Sequence, residues 1–151
     1  MFLLDTNVVS ELRKPGADAN VVRWARSHVS SRLFVSAITL MELETGVLRI
    51  ERRDPVQAEP LRRWLDHHVL PAFAGRILAV DAAVARRCAR LHVPDPRGET
   101  DALIAATALV HGMTVVTRNV VDFQHCAVPL LNPWISQLNE PAGRYSSAPR
   151  R

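Results

Sequence analysis

Four acidic residues, widely separated in the chain, each stand beside an apolar run. Asp5 closes Phe2-Leu3-Leu4, and Glu42 lies just past Leu33-Phe34-Val35-Ser36. Asp101 opens the apolar stretch Ala102 to Leu109, and Asp122 follows Val115-Val116-Thr117. If the apolar runs are strands of a parallel sheet, ligands bind beyond their carboxyl ends. Carboxylates gathered there repel one another unless a cation joins them. Oxygen ligands without a cysteine or histidine set point to a hard divalent ion, Mg²⁺ or Mn²⁺. Such an ion orients a water, lowers its pKa and stabilises charge on an attacked phosphate. The chemistry expected is metal-assisted cleavage of a phosphodiester.

Each acid also has a plainer reading. Asp5 or Thr6 can cap the helix that follows the first strand. Thr39-x-x-Glu42 has the spacing of a capping box, in which the glutamate bonds back to the cap's own N–H. That bond competes with metal binding. Glu44 is a possible substitute, but two helical positions turn it about 200° away from Glu42, so only one of them can face a crevice. Glu42, nearer the strand end, is the choice. Asp101 can simply favour a helix's first turn, with Glu99 two residues earlier. Asp122 can be an ordinary turn aspartate, and Asn119 beside it offers an oxygen for a metal or an outer-shell hydrogen bond. Taken together, the four acids favour a common site. Arg118 and Arg13 are the arginines nearest to it in sequence.

The elements that would position these acids follow from the patterning. Phe2 to Asp5, Leu33 to Ser36, Ile77 to Val80 and Thr114 to Thr117 are short, continuous apolar runs, the signature of strands buried on both faces. Val128 to Leu131 is a fifth, placed at the sheet edge because Pro129 cannot donate to a ladder. Between them lie helical patterns: Val8 to Leu12, ended by Pro15-Gly16; Asp18 to Val29; Thr39 to Val47; Pro60 to Val69; Asp81 to Leu91; and Thr100-Asp101 to Val110, ended by Gly112. Strands alternating with helices imply an α/β domain with a parallel sheet.

The chain of 151 residues is expected to form one domain over residues 1–135, with a mobile polar tail at 136–151. Apolar residues make up 48% but aromatics only 5%, so the core must be built from Ala, Val, Leu and Ile. No apolar stretch approaches the roughly 18 to 20 residues that span a bilayer, and the N-terminus lacks the basic start of a secretory signal. Cys88 and Cys126 have no motif spacing, which suits a reducing cytoplasm. The net charge of +4 rests on eighteen arginines and the single Lys14. Arginine's fork matches phosphate oxygens, so RNA is compatible with the charge, as is a simple compositional bias.

Four blocks now carry a resemblance. Leu-Leu-Asp-Thr-Asn-Val-Val-Ser-Glu at 3–11 resembles the opening of PIN-domain proteins of the VapC and FitB kind. Ser-Ala-Ile-Thr-Leu-Met-Glu-Leu-Glu-Thr-Gly at 36–46 and Thr-Asp-Ala-Leu-Ile-Ala-Ala-Thr-Ala at 100–108 are similar to their second and third blocks. Thr-Val-Val-Thr-Arg-Asn-Val-Val-Asp-Phe at 114–123, then Leu-Asn-Pro-Trp at 131–134, match the last. The resemblance implies a three-layer α/β/α fold around a mostly parallel sheet. It implies an Mg²⁺-dependent endoribonuclease (Mn²⁺ being an alternative), the toxin of a type II toxin–antitoxin pair. Asp5, Glu42 and Asp101 match the family's metal-ligating acids. At the fourth position some members carry an acid directly after Thr-Arg. Others carry asparagine there with an acid three residues later, as Asn119 and Asp122 do, so Asp122 is expected with Asn119 beside it. Thr6 and Thr117 resemble the hydroxyl residues lining the site. The resemblance further implies a homodimer, a VapB-like antitoxin in a higher-order complex, structured RNA such as tRNA as substrate, and operator DNA reached only through the antitoxin.

Two other classes fit less well. An aspartyl-phosphate enzyme wants an aspartate two residues after Asp5, where Asn7 stands, and a lysine, of which only Lys14 exists. A dinucleotide-binding domain wants a glycine-rich loop after the first strand. A non-catalytic module that keeps the fold and binds RNA or a partner is the alternative, and retention of all four acids argues against it.

Overall fold

The computed structural model describes residues 1–135; the expected tail lies outside the described residues. The chain begins in the middle of its own sheet. β1 (Phe2–Leu4) is flanked on one side by β2 (Leu33–Ser36) and β3 (Ile77–Leu78), and on the other by β4 (Thr114–Val116) and β5 (Leu130–Leu131), in the order β3-β2-β1-β4-β5. Every pairing is parallel, with Leu3 opposite Phe34 and Val115, and Ser36 opposite Leu78. β5 is an edge strand, as Pro129 implies, and the proline contributes only its carbonyl, which accepts from Val115 N–H at 2.9 Å.

Successive residues of a strand point to opposite faces. Leu4 and Val116 therefore join one core layer with Val8, Val9, Val21, Trp24, Leu43 and Val47. Leu3 and Val115 join the other, with Ile104, Ala105, Ala108 and Phe123. The first layer is covered by α1 (Thr6–Arg13), α2 (Ala19–Arg26) and α3 (Ala37–Arg53). α4 (Pro55–Trp64) continues through a wide π turn at Leu65–Val69 into the short α5 (Leu70–Ala72), and Leu65 and Val69 close this layer. The second layer is covered by α7 (Glu99–His111) and the four-residue α8 (Val120–Phe123). α6 (Ala82–Leu91) packs outside α7 through Val84 and Cys88 against Ala102 and Ala106. α7 is apolar nearly all round because it is covered twice, by the sheet and by α6. The fold is thus α/β in three layers.

Some boundaries move. α3 starts at Ala37, capped by Ser36, whose buried Oγ accepts from Ile38 N–H at 3.0 Å. Thr39 is therefore inside the helix. α4 starts at Pro55 rather than Pro60, because Asp54 caps it through Gln57 N–H and proline suits the first helical position. α7 starts at Glu99 with Gly98 as cap, which places Asp101 in the first turn rather than at its opening. β3 stops at Leu78, and Val29 lies beyond α2, exposed. Among the described residues no helix is long and apolar enough to cross a membrane.

The strand order matters for the site. The chain builds outward from β1 to β3, then returns to β1's other side for β4. α1 leaves β1 toward the first core layer, and α8 follows β4 into the second. A crevice results between the carboxyl ends of β1 and β4, where the strand order reverses.

Candidate active site

Asp5 stands at that reversal, buried, immediately after β1. Its two oxygens are used separately. Oδ1 accepts from Thr6 N–H at 2.8 Å and caps α1. Oδ2 accepts from Thr117 Oγ1 at 2.8 Å, across the gap to the end of β4. The capping and site readings of Asp5 are therefore compatible. Thr117, fully buried, in turn accepts from Asn119 N–H at 3.0 Å, so one hydroxyl fixes both Asp5 and the turn that leads into α8. Asn7 Nδ2 reaches Asp5 Oδ2 and Thr117 Oγ1, each at 3.4 Å, while its carbonyl oxygen accepts from Arg118 N–H.

Glu42 extends from the second turn of α3. Thr6 Oγ1 donates to Glu42 Oε1 at 3.0 Å and stands 3.3 Å from Thr39 Oγ1. The capping-box reading of Thr39-x-x-Glu42 is overturned: Ser36 is the cap, so both Thr39 and Glu42 point to α1 instead of to their own helix end. Glu44 faces away, 2.8 Å from Arg62 on α4, as the 200° separation requires. Arg62 also holds Glu51 and Asp66 and ties α3 to α4. Glu44→Gln is expected to leave any reaction in the crevice intact, whereas Glu42→Gln lowers it. A cleavage assay on the two variants separates them, and equal losses would show that the charge of α3 matters rather than its facing.

Asp101 is half-buried in the first turn of α7, and exposed Asp122 is the third residue of α8. The four carboxylates feel one another. Burial pushes the Asp101 carboxyl up to about 6, and the charges of Asp5, Asp122 and Glu42 add to it. Burial also raises Asp5 against the opposing bonds from Thr117 and Thr6, with Asp122 adding to the rise. Glu42 rises through burial, opposed by Thr6 and assisted by Asp5. Among the described residues no three acidic, histidine or cysteine side chains are gathered closely enough to form a ready-made metal cage. The acids influence one another through their fields rather than through contact. The donor set is nonetheless all oxygen, which fits a hard divalent ion.

Thr6 links Asp5 to Glu42, Thr117 bonds Asp5 from the end of β4, and the charges of Asp5, Glu42 and Asp122 all reach Asp101, so the four acids lie within one another's fields. Asn119 is bonded to Thr117 through its backbone. Asn7 and Thr39 are additional members that sequence reading passed over. Thr39 carried a usable signal, being three residues before Glu42 and so on the same helical face. Of the two arginines, Arg118 adjoins Thr117, while Arg13 lies at the far end of α1 over the ring of Trp64.

The sequence pattern of the PIN domain matches residues 2–127. The chain is a PIN-domain protein of the VapC and FitB kind. It is 37% identical to the VapC ribonuclease Y4jK of Sinorhizobium fredii over 142 residues, 89% of this chain and 98% of that one. It is 39% identical to the toxin FitB of Neisseria gonorrhoeae over 140 residues, 89% of this chain and 99% of the toxin. Among solved structures, FitAB bound to an IR36 DNA fragment superposes with a TM-score of 0.84 at 35% identity, covering 93% of this chain and 100% of that one. The PIN fold thus accounts for the parallel sheet.

Proposed function

We propose that this PIN-domain chain is a metal-dependent endoribonuclease, the toxin of a type II toxin–antitoxin pair, and that it hydrolyses phosphodiester bonds of structured RNA, tRNA first among them. The observation that carries this reading is the convergence of four carboxylates, from the end of β1 and from α3, α7 and α8, within one another's fields: Asp101, raised chiefly by its burial, is raised further by the charges of Asp5, Asp122 and Glu42. Such a cluster is costly for a chain with no use for it. The names of its relatives, a VapC ribonuclease and the toxin FitB, support the reaction class.

Asp5, Glu42, Asp101 and Asp122 would hold Mg²⁺ or Mn²⁺, with Asn119 beside Asp122. A divalent ion held there supplies an activated water and neutralises charge on the phosphate. The chain's own residues do the rest. Thr117 O–H and Thr6 N–H fix the direction of Asp5 and oppose the rise that burial imposes on its carboxyl. Thr6 O–H turns Glu42 toward the same point from the opposite wall. Asn7 spans Asp5 and Thr117 and keeps the ends of β1 and β4 in register. Asp101, its carboxyl raised to about 6 chiefly by burial, holds a proton at mildly acid pH and is charged above it.

A VapB-like antitoxin is the expected partner, in a higher-order complex with a homodimer of this chain. DNA would be met only through that antitoxin; the FitAB structure bound to a DNA fragment supports a complex that meets DNA. The test is incubation of purified, antitoxin-free chain with total tRNA in Mg²⁺, Mn²⁺ or EDTA, alongside Asp101→Asn. Discrete cuts that require metal and fall by on the order of a hundredfold or more in the variant are expected. Binding of RNA without any cut, in every metal, would instead make the chain a non-catalytic binding module. Cuts that persist in EDTA would rule out the metal mechanism.

A further inference from the structure

An RNA backbone approaching four carboxylates meets a repulsive field, so the crevice needs fixed positive charge at its mouth as well as an ion inside. Arg118 is placed for that. It follows Thr117 directly, and its own N–H donates to Asn7 Oδ1 at 3.4 Å, so its backbone is tied to the same asparagine that touches Asp5. Its guanidinium lies over the ring of Trp134, 5.3 Å from the centroid. The backbone that carries the ring is anchored on both sides, Trp134 backbone N–H donating to Asn132 Oδ1 at 3.0 Å and its backbone carbonyl accepting from Asn20 Nδ2 at 2.9 Å, and the side chain packs against the first core layer. Arg118 is exposed and makes no ion pair among the described residues. Glu11, which feels the charge of Arg118, is occupied by Lys14 Nζ at 2.9 Å and by Asp18 N–H at 3.0 Å.

The other candidates are worse placed. Arg13 sits over Trp64, seven residues beyond Thr6 along α1. Arg97, in the loop before α7, is half-buried with its Nε enclosed and unpartnered. A guanidinium stacked on an indole keeps its N–H edge free while its rotamers are restricted, so little entropy remains to be lost when it grips a phosphate.

We propose that Arg118, held over the ring of Trp134 beside the end of β4, is the positioning residue that takes an RNA backbone phosphate beside the acid crevice. This rests on the ribonuclease reading above. Because the phosphate is held in the ground state as in the transition state, loss of Arg118 raises KM more than it lowers kcat.

The decisive experiment measures binding of a fluorescein-labelled RNA hairpin in EDTA, where metal-dependent cutting cannot consume the probe, over a series of salt concentrations. Arg118→Gln is expected to weaken binding and to make the slope of log affinity against log salt shallower by roughly 0.7 to 0.9, the value for one phosphate contact. Arg118→Lys should restore the slope while recovering only part of the affinity, since the charge returns without the fork. Trp134→Leu should weaken binding with the slope unchanged, and thermal melting of each variant verifies folding. An unchanged slope and affinity in Arg118→Gln overturns the assignment. If Asp101→Asn still abolishes metal-dependent cutting in that case, the ribonuclease reading survives it. A wild-type chain that neither binds nor cuts RNA defeats both.

Discussion

Asp101→Asn should make the metal-free chain more resistant to heat at neutral pH while removing its response to divalent ions. The sign follows from the raised carboxyl. An acid whose pKa is 3.8 unfolded and about 6 folded binds its proton more tightly in the native state. Its contribution to stability is therefore lost as pH rises through that window, and above about pH 6 the folded chain carries an unfavourable charge. The amide has the shape of the neutral acid and never ionises. Asp101 is only half-buried, so solvent screening cuts the benefit to about 1 kcal/mol, or roughly 2–4 °C in melting temperature for a chain of this size. The field at the N-terminus of α7 works the other way by about 0.3–1 kcal/mol, and the net upward shift of the carboxyl indicates which effect is larger. Mg²⁺ or Mn²⁺ should raise the melting temperature of the wild type, because ligands that bind only the folded state stabilise it. The variant should respond little. Melting curves at about pH 5 and about pH 7.5, each with and without metal, check both halves. A variant that melts lower at neutral pH, or gains as much from metal as the wild type, would remove Asp101 from any common ion site.

The second large effect concerns a residue that touches no substrate. α8 has four residues, far too few to be stable alone, yet it carries Asp122. Its anchor is Phe123, 1% exposed and packed in the second core layer with Ile104 and Val115. Phe123→Ala is expected to cost about 3–5 kcal/mol, within the usual range for a buried phenylalanine, and to lower the melting temperature by roughly 10 °C. It should also lower RNA cutting beyond the loss of folded chain, because α8 loses what holds Asp122 over the crevice. Val21→Ala is the control: Val21 is equally buried but lies on α2, in the other layer. With both variants measured where they are folded, Phe123→Ala should cut RNA markedly less than Val21→Ala. Equal activities would mean that α8 keeps its place without Phe123, or that Asp122 is not needed.

Much of this arrangement is legible in the chain itself. Four runs of consecutive apolar residues announce strands buried on both faces, and one proline sends Val128 to Leu131 to the edge. Gly112, at φ 65°, ends α7 where a residue with a side chain would be strained. Asp18 and Asp81 cap the helices that their spacing predicts. The four acids could be chosen because a parallel sheet has only one end at which its strands deliver ligands. These are properties of periodicity and of local sterics, which act within a few residues and so are written in local order.

Tertiary structure decided the rest. Ser36 and Thr39 are equally able to cap a helix, and the choice falls to Ser36 because β2 ends there, opposite Leu78 of β3. That choice turns Thr39 and Glu42 toward Thr6, a residue more than thirty positions away. The division of Asp5 between a cap and Thr117 depends on β1 and β4 being neighbours, although 112 positions separate the two residues. Asn7, a cap candidate in the sequence, meets Asp5 and Thr117 only because the same two strands lie side by side. Arg118 and Arg13 were equivalent as neighbours in sequence, and only the positions of Trp134 and Trp64 distinguished them. Hydrogen bonds and fields act over a few ångströms of space. Spacing along the chain reports that distance only inside one helix or strand, so the residues proposed for the site can be named from the sequence, while the hydrogen bonds among them cannot.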